Sequence, residues 1–118
     1  PNLFSINGYD YPLNMNDTLG IINAHVGDSV YIAVLNSGNM VHTLHFHGYH
    51  FEILSSTKNP SQVAWKKDSA PVFPQDGMLL LLIPDKMGTY PVHDHNLTAV
   101  TTTGGYSGGM MSMLNVTP

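Results

Sequence analysis

Short apolar runs separated by turn-forming residues are the feature that most constrains how this chain can fold. The 118 residues include 11 Gly and 8 Pro, and apolar residues rarely recur at the three- and four-residue spacing of an amphipathic helix. Turn formers such as VGD, NSGN, FPQDG and PDKMG separate runs rich in β-branched and aromatic residues. The pattern predicts an all-β protein, either a sandwich or a barrel of short strands.

The runs themselves give the predicted strands. These cover residues 3–8, 29–38, 42–48, 51–54, 78–84, 88–95 and 110–116. Residues 29–38 and 78–84 are apolar at both alternating positions, which is typical of central strands covered on both faces. Residues 55–76 and 98–109 are rich in Ser, Thr, Gly, Lys and Pro, so we predict surface loops there.

Length, charge and composition limit the classes of function that this chain can have. A chain of this length predicts one domain, residues 1–118. The formal net charge of -4 provides no basic stripe for phosphates, so we expect no nucleic-acid partner. The longest apolar run, MLLLLIP, is far shorter than the roughly 20 residues of a membrane helix. Cysteine is absent, so any metal must be held by His, carboxylate or Met.

Histidines are concentrated in two short segments, MVHTLHFHGYHF at 40–51 and VHDHN at 92–96. On a strand, alternate side chains share a face, so His45 and His47 point the same way with their Cα atoms about 7 Å apart. His93 and His95 have the same spacing. Two such strands side by side would bring four imidazoles together, and imidazole binds copper, zinc, iron and nickel. The spacing therefore predicts a metal site.

Each histidine also has a simpler interpretation. A single His-x-His pair is often only a surface or hydrogen-bonded pair, but two pairs in one small domain favour a metal site. His25, in the turn AHVGD, is interpreted as a solvated loop residue, and His50 as a residue that packs or forms a hydrogen bond. Met110 and Met111 are interpreted as core side chains at the start of a strand.

The two histidine segments resemble those of multicopper oxidases. NSGNMVHTLHFHGYHFEIL is similar to the family's His-x-x-His-x-His-Gly segment, and GTYPVHDHN…GGMM to its companion Gly-Thr-Trp-x-x-His-Cys-His…Gly-Met segment. FSINGYDYP and VGDSVYIAVLN resemble the way cupredoxin domains of that family begin. The resemblance spans nearly the whole chain and implies the cupredoxin fold, an antiparallel Greek-key β-sandwich like the C-terminal domain of these oxidases.

The resemblance also implies roles for individual residues. It makes His45 a ligand of the type 2 copper. It makes His47, His93 and His95 ligands of the coupled type 3 copper pair. His42 takes the place of the first ligand of the mononuclear type 1 site, and Met110 that of its weak axial neighbour.

Two positions depart from the family pattern. Asp94 stands where a working type 1 site has Cys, and Ala99 stands where its second His is expected. We therefore predict that no blue type 1 site forms. If His93 and His95 face outward, Asp94 faces the space between the sheets with His42. A buried carboxylate needs a partner, so Asp94 is predicted to hydrogen-bond to His42 or to nearby backbone. A residual metal at His42 and Asp94 is the alternative.

The resulting functional hypothesis is a copper-binding cupredoxin domain that keeps the type 2 and type 3 half-site. Copper is the expected cofactor, with zinc as a substitute. The expected partner is another cupredoxin domain or a second copy of the chain, in a dimer or trimer joined through the histidine face. The chain would be an oxidoreductase only when such a partner completes it. The resemblance implies an extracytoplasmic location, either periplasmic or secreted.

Two alternatives come from other classes. One is a stand-alone Cu/Zn-binding module without catalysis. The other is a cupin-type iron or manganese oxygenase, because HFHGYHFE also contains His-x-His followed by Glu. A cluster on an outer face favours the oxidase interpretation, whereas a cluster inside one barrel favours the cupin.

Overall fold

Two β-sheets pack face to face in the computed structural model, which describes residues 3–18, 20–102, 105–106 and 108–118. The strands are, in chain order, β1 (Ile22–His25), β2 (Val30–Leu35), β3 (His42–Phe46), β4 (Phe51–Ser56), β5 (Lys66–Lys67), β6 (Ser69–Val72), β7 (Gly77–Leu82), β8 (Gly88–Asp94), β9 (Thr101–Thr102), β10 (Gly105–Tyr106) and β11 (Met111–Thr117). Short 3-10 helices lie at Leu13–Asn16, Pro60–Gln62 and Leu97–Val100. None of the helices in these residues has the length and apolar character needed to cross a bilayer.

The sheet order places both histidine segments in the same sheet. One sheet has the order β1-β11-β8-β3-β6, and the other has the order β2-β7-β4-β5. β9 and β10 form a separate pair. β1 runs parallel to β11, whereas β3 pairs antiparallel with both β8 and β6. The all-β sandwich predicted from the sequence is confirmed, and β3 and β8 are direct neighbours inside the five-stranded sheet.

The core lies between the sheets and follows the two-residue periodicity of the strands. On β7, Met78, Leu80 and Leu82 are buried while the intervening leucines are only half-buried. Apolar side chains from both sheets join them; the largest fully buried ones include Phe46, Phe51, Ile53, Leu80, Leu82 and Leu114. Burying a side chain of this size contributes about 1.5–3 kcal/mol. This core fixes which face of β3 and β8 points outward.

A glycine fixes the turn that follows β3. Gly48 has φ +82°, and a Cβ at this position would lie 2.6 Å from the ring of Tyr90. The Tyr90 ring packs edge-on against Tyr49 at a centroid distance of 4.8 Å. Only glycine therefore lets the chain turn this close to β8.

One predicted central strand is an edge strand. β2 ends the four-stranded sheet, and its outward side chains Tyr31 and Leu35 are 62% and 73% exposed. The prediction of a strand covered on both faces is wrong for β2, because apolar residues at alternate positions here face solvent. β7 is interior to its sheet as predicted, with β2 and β4 on its two sides, but its outward side chains are half-buried rather than covered.

Three other segment assignments also differ from the prediction. Residues 3–8 form no strand in the described structure but only an isolated bridge between Ile6 and Tyr9. Residues 55–76, predicted to be a loop, contain β5 and β6. β6 is short and buries only Ala70 and Val72, so its alternation is too brief to stand out in the sequence. The predicted loop at 98–109 contains β9 and β10, and its residues 103, 104 and 107 lie outside the described residues.

Candidate metal centre

The register between β3 and β8 separates the histidines from the core. His45 lies directly opposite His93, and Leu44 lies opposite Asp94. Phe46 is only 1% exposed and packs in the core, so the residues on either side of it along β3 point to the outer face of the sheet. The prediction that His45, His47 and His93 share one outward face is confirmed.

Three of these imidazoles form a compact cluster. The potential ligand atoms of His45, His47 and His93 all lie within 4.8 Å of one another. The Nε2 atoms of His47 and His93 are 2.9 Å apart, and the ring centroids of His45 and His47 are 4.7 Å apart. Nitrogen ligands bind zinc at about 2.0–2.1 Å, so donors at this spacing fit one shared ion. We name these three residues the outer histidine cluster.

Hydrogen bonds orient two rings of the outer histidine cluster. Nδ1 of His93 lies 2.8 Å from the carbonyl oxygen of Asp94. Nδ1 of His45 lies 3.0 Å from the carbonyl oxygen of Asp68 and 2.7 Å from Oγ of Ser69. A carbonyl can only accept, so Nδ1 carries the hydrogen and Nε2 keeps its lone pair. Such bonds are the usual support of histidines that bind metals through Nε2.

His95 lies beside the cluster rather than within it. Its ring centroid is 5.2 Å from that of His45 and 6.0 Å from that of His93, to which it is nearly parallel at 25°. The side chain is exposed. Three of the four predicted ligands therefore converge, and the fourth is adjacent to them.

The electrostatics of the cluster favour neutral imidazole. Partial loss of water around the ring, followed by the neighbouring His45, His93 and His95, lowers the pKa of His47 from its ordinary value, while Asp68 opposes this shift. The lowered pKa keeps the ring unprotonated to lower pH. Because a metal binds only the neutral ring, this shift extends the pH range in which His47 can act as a ligand.

A buried polar pair lies on the inner side of the same two strands. His42 Nδ1 donates a hydrogen bond to Oδ2 of Asp94. Oδ1 of Asp94 accepts from the backbone N–H groups of Thr43 and Asn96, both at 2.9 Å. The side chains of His42 and Asp94 are 11% and 1% exposed. The predicted bond between Asp94 and His42 is confirmed, and both oxygens of the carboxylate accept hydrogen bonds within the protein.

The other residues singled out in the sequence lie outside the cluster. Met110 is half-buried and lines the same space between the sheets as His42 and Asp94. Ala99 is fully buried in the short helix after β8. His25 ends β1 and is exposed next to Asp28, with 3.6 Å between Nδ1 and the carboxylate. His50, predicted to pack or to form a hydrogen bond, is exposed.

The sequence interpretation missed Asp68 and Ser69. Both lie in the segment that was assigned to a loop, and both contact His45 from β6 or the residue before it. The sequence signal for this strand is the alternation within SAPV, in which Ala70 and Val72 are buried and Ser69 lies on the same side as the histidines. Ser69 pairs directly with His45 in the register of β3 and β6.

Comparison with known proteins agrees with this architecture. The sequence profile of the multicopper oxidase family matches residues 2–117. The multicopper oxidase MmcO of Mycobacterium tuberculosis is 27% identical over 90 residues, which are 75% of this chain and 17% of that protein. The chain thus spans about a sixth of this curated relative.

Solved structures of multicopper oxidases contain the same fold. The multicopper oxidase mgLAC superposes with a TM-score of 0.83 at 24% identity, covering 98% of this chain and 35% of that one. The blue copper oxidase of Nitrosomonas europaea gives a TM-score of 0.78 at 24% identity, over 91% and 32% of the two chains. A metallo-oxidase of Campylobacter jejuni gives 0.69 at 27% identity, over 82% and 20%. In each case this chain matches one part of a larger protein.

Proposed function

The chain belongs to the multicopper oxidase family, and we propose that its outer histidine cluster holds copper as one half of a centre that a second cupredoxin domain completes. The observation that carries the proposal is the convergence of three imidazoles within 4.8 Å on the outer face of a sheet. His95, whose ring lies 5.2 Å from that of His45, is proposed as the fourth ligand of the half-site.

The residues of this chain provide and orient the ligand atoms. His45, His47 and His93 would bind the metal through ring nitrogens, and the Nδ1 bonds of His45 and His93 hold their rings in place. Copper bound there would supply a redox-active centre of the kind used by the family. The chain contains no cysteine, so it has no type 1 site of its own. Oxidase activity therefore requires a partner that delivers electrons.

The outward position of the cluster supports an assembly role. His47 and His95 are exposed, and three or four imidazoles on one surface leave coordination positions for ligands from another surface. The proposed partner is another cupredoxin domain or a second copy of this chain, in a dimer or trimer with closed symmetry. Zinc is expected to occupy the same ligands. A periplasmic or secreted location is part of the same proposal.

A stand-alone Cu/Zn-binding module without catalysis is the second candidate. It is favoured by the compactness of the cluster, because three nitrogens from one chain are enough to hold one ion. The cupin alternative is wrong, since the chain matches the multicopper oxidase family and its cluster lies outside the sheet rather than inside a barrel.

The test combines a copper titration with a mass measurement. Protein freed of metal by a chelator is titrated with Cu(II), and its mass is measured by light scattering before and after. We expect weak visible absorption without the intense blue band, because that band requires a cysteine thiolate. We also expect the mass to rise to that of a dimer or trimer when copper is present.

Each contrary result has a defined meaning. A strict monomer with bound copper supports the stand-alone module over the half-site. An intense blue band contradicts the proposed ligand set. Rapid oxygen consumption by a copper-loaded monomer would contradict both candidates. The matched control replaces His25 and His50, both exposed and outside the cluster, by Ala and should leave copper binding unchanged.

A further inference from the structure

A cavity of about 720 Å³ lies between the two sheets, behind the outer histidine cluster. Its walls are mainly apolar side chains from both sheets, among them Ile22, Ile32, Val34, Leu44, Val72 and Val92. Pockets that bind small molecules usually have volumes of about 300–1,000 Å³ and apolar walls with a few placed polar groups. The size and lining of this cavity match that description.

Most polar groups at the cavity wall are already paired. The side-chain amide of Asn36 donates to the carbonyl oxygens of Met40 and Val72, each at 2.9 Å, and its oxygen accepts from the N–H of Gly38. Ser112 Oγ donates to the carbonyl oxygen of Gly20 at 2.6 Å. All the N–H and O–H donors of these two side chains are therefore used within the protein, and they leave none for a ligand.

His42 lines the same cavity with one ring nitrogen left over. Its Nδ1 donates to Asp94, so the neutral ring presents a lone pair at Nε2. Among the described residues, Nε2 has no hydrogen-bond partner. Nε2 also lies beside Gly38, where an added Cβ would be 3.9 Å away, an ordinary van der Waals distance. His42 therefore adds an acceptor without a protein partner to a mainly apolar wall.

We propose that this cavity binds a small, neutral, largely apolar molecule that carries one hydrogen-bond donor, with the donor on Nε2 of His42. A ligand without a donor would leave Nε2 unpaired after water is displaced, which is unfavourable. A charged ligand would lose its hydration with little return, since both oxygens of Asp94 already accept hydrogen bonds from the protein. The binding site does not depend on copper in the outer histidine cluster.

The first test compares two probes that differ only in the donor. Indole carries an N–H group, and 1-methylindole carries a methyl group on the same nitrogen. Titration calorimetry on chelator-treated protein should show indole binding about 10-fold more tightly, the ratio expected for one net hydrogen bond. Equal affinities, or no binding of either probe, would overturn the proposal.

The second test locates the probe with a matched pair of substitutions. Ile32→Phe fills the cavity from β2 and should abolish binding of both probes. Ile83→Phe adds the same volume at an exposed position that is 56% accessible and should leave binding unchanged. Wild-type affinity in the Ile32→Phe protein would contradict the proposal.

The third test removes the acceptor. The variant combines His42→Phe with Asp94→Val, because His42→Phe alone would leave an oxygen of Asp94 free to accept the N–H. The double variant should bind indole and 1-methylindole equally. A retained preference for indole in the folded double variant would overturn the proposal, and the probe pair and the Ile32→Phe variant decide it if the double variant does not fold.

Discussion

The two faces of β3 and β8 use histidine in opposite ways. On the outer face, His45 and His93 lie opposite each other and each Nδ1 donates to a backbone carbonyl, so Nε2 carries the lone pair. Nε2 of His93 lies 2.9 Å from Nε2 of His47, a contact that a shared metal ion would replace. On the inner face, His42 is bonded to one oxygen of a buried carboxylate whose other oxygen accepts from two backbone N–H groups. The outer face therefore keeps unused ligand capacity, whereas the inner pair stabilises the fold.

The difference between the two faces predicts that metal binding and the stability of the fold can be changed separately. Residues on the outer face should affect metal affinity with little effect on the fold, because they are exposed or half-buried. Residues of the inner pair should affect stability with little effect on metal affinity. The following experiments test this separation, beginning with the largest expected effect.

Replacing His45 and His93 together by Ala should weaken Cu(II) binding by more than about 100-fold, since even supporting residues around a metal typically contribute 10- to 100-fold. The free energy of unfolding of the metal-free protein should change by less than about 1 kcal/mol, because both side chains lie outside the core. Copper titration and urea unfolding measure the two effects. A large loss of stability in the metal-free variant would contradict the separation.

Asp94→Ala should instead lower the stability of the fold and leave copper affinity nearly unchanged. Two backbone N–H groups and His42 lose their shared acceptor, and leaving buried donors unpaired costs about 1–3 kcal/mol or more. Copper affinity should stay within a factor of a few, because the bond to His93 uses the backbone carbonyl of Asp94. Asp94→Asn keeps one acceptor oxygen and is the control with a smaller loss. A copper defect without loss of stability would reverse our assignment of the two faces.

Ser69→Ala probes the support of the outer histidine cluster. It removes the 2.7 Å contact to Nδ1 of His45 but leaves the Asp68 carbonyl in place. We expect copper affinity to fall by about 10-fold, the lower end of the range for such supporting bonds. Ser61, which is exposed and bonds to Asn59 rather than to the outer histidine cluster, provides the control Ser61→Ala. Equal affinities in the two variants would show that the carbonyl alone orients the ring.

The smallest expected effect is on the pH dependence of stability. The pKa of His47 is lowered below 6.5 in the folded protein, so the unfolded chain binds a proton more readily. The contribution of His47 to the free energy of unfolding is therefore fully present above pH 6.5 and is lost as the pH falls through the lowered pKa. In the metal-free protein, His47→Gln should flatten this part of the curve of melting temperature against pH. An identical acid dependence in both proteins would mean that His47 contributes nothing to it.

Much of the difference between the two faces could be predicted from the sequence, because the alternation of residues along a strand determines on which face each side chain lies. The spacing of His45, His47 and His93 gave the outer cluster, and the position of Asp94 between two histidines gave its inward direction. The adjacency of β3 and β8 was a condition of the predicted metal site rather than a prediction from the sequence, and the structure fulfils it.

The rest depended on contacts between distant segments. Ser69 supports His45 only because β6 pairs with β3, and a four-residue strand gives too little alternation to identify. The edge position of β2 could not be recognised, because its apolar outward residues look like buried ones in sequence. The cavity depends on the separation of two sheets, which no local pattern encodes.

The edge position of β2 has a consequence for handling the protein. Its sequence, VYIAVL, contains no charge or proline, and in the described structure it pairs only with β7. Exposed apolar edges of this kind act as templates for intermolecular strand pairing and aggregation. Association through β2 would persist in a chelator, unlike association through copper. A lysine at Ala33, an exposed position on this strand, should suppress aggregation while leaving metal-dependent assembly intact.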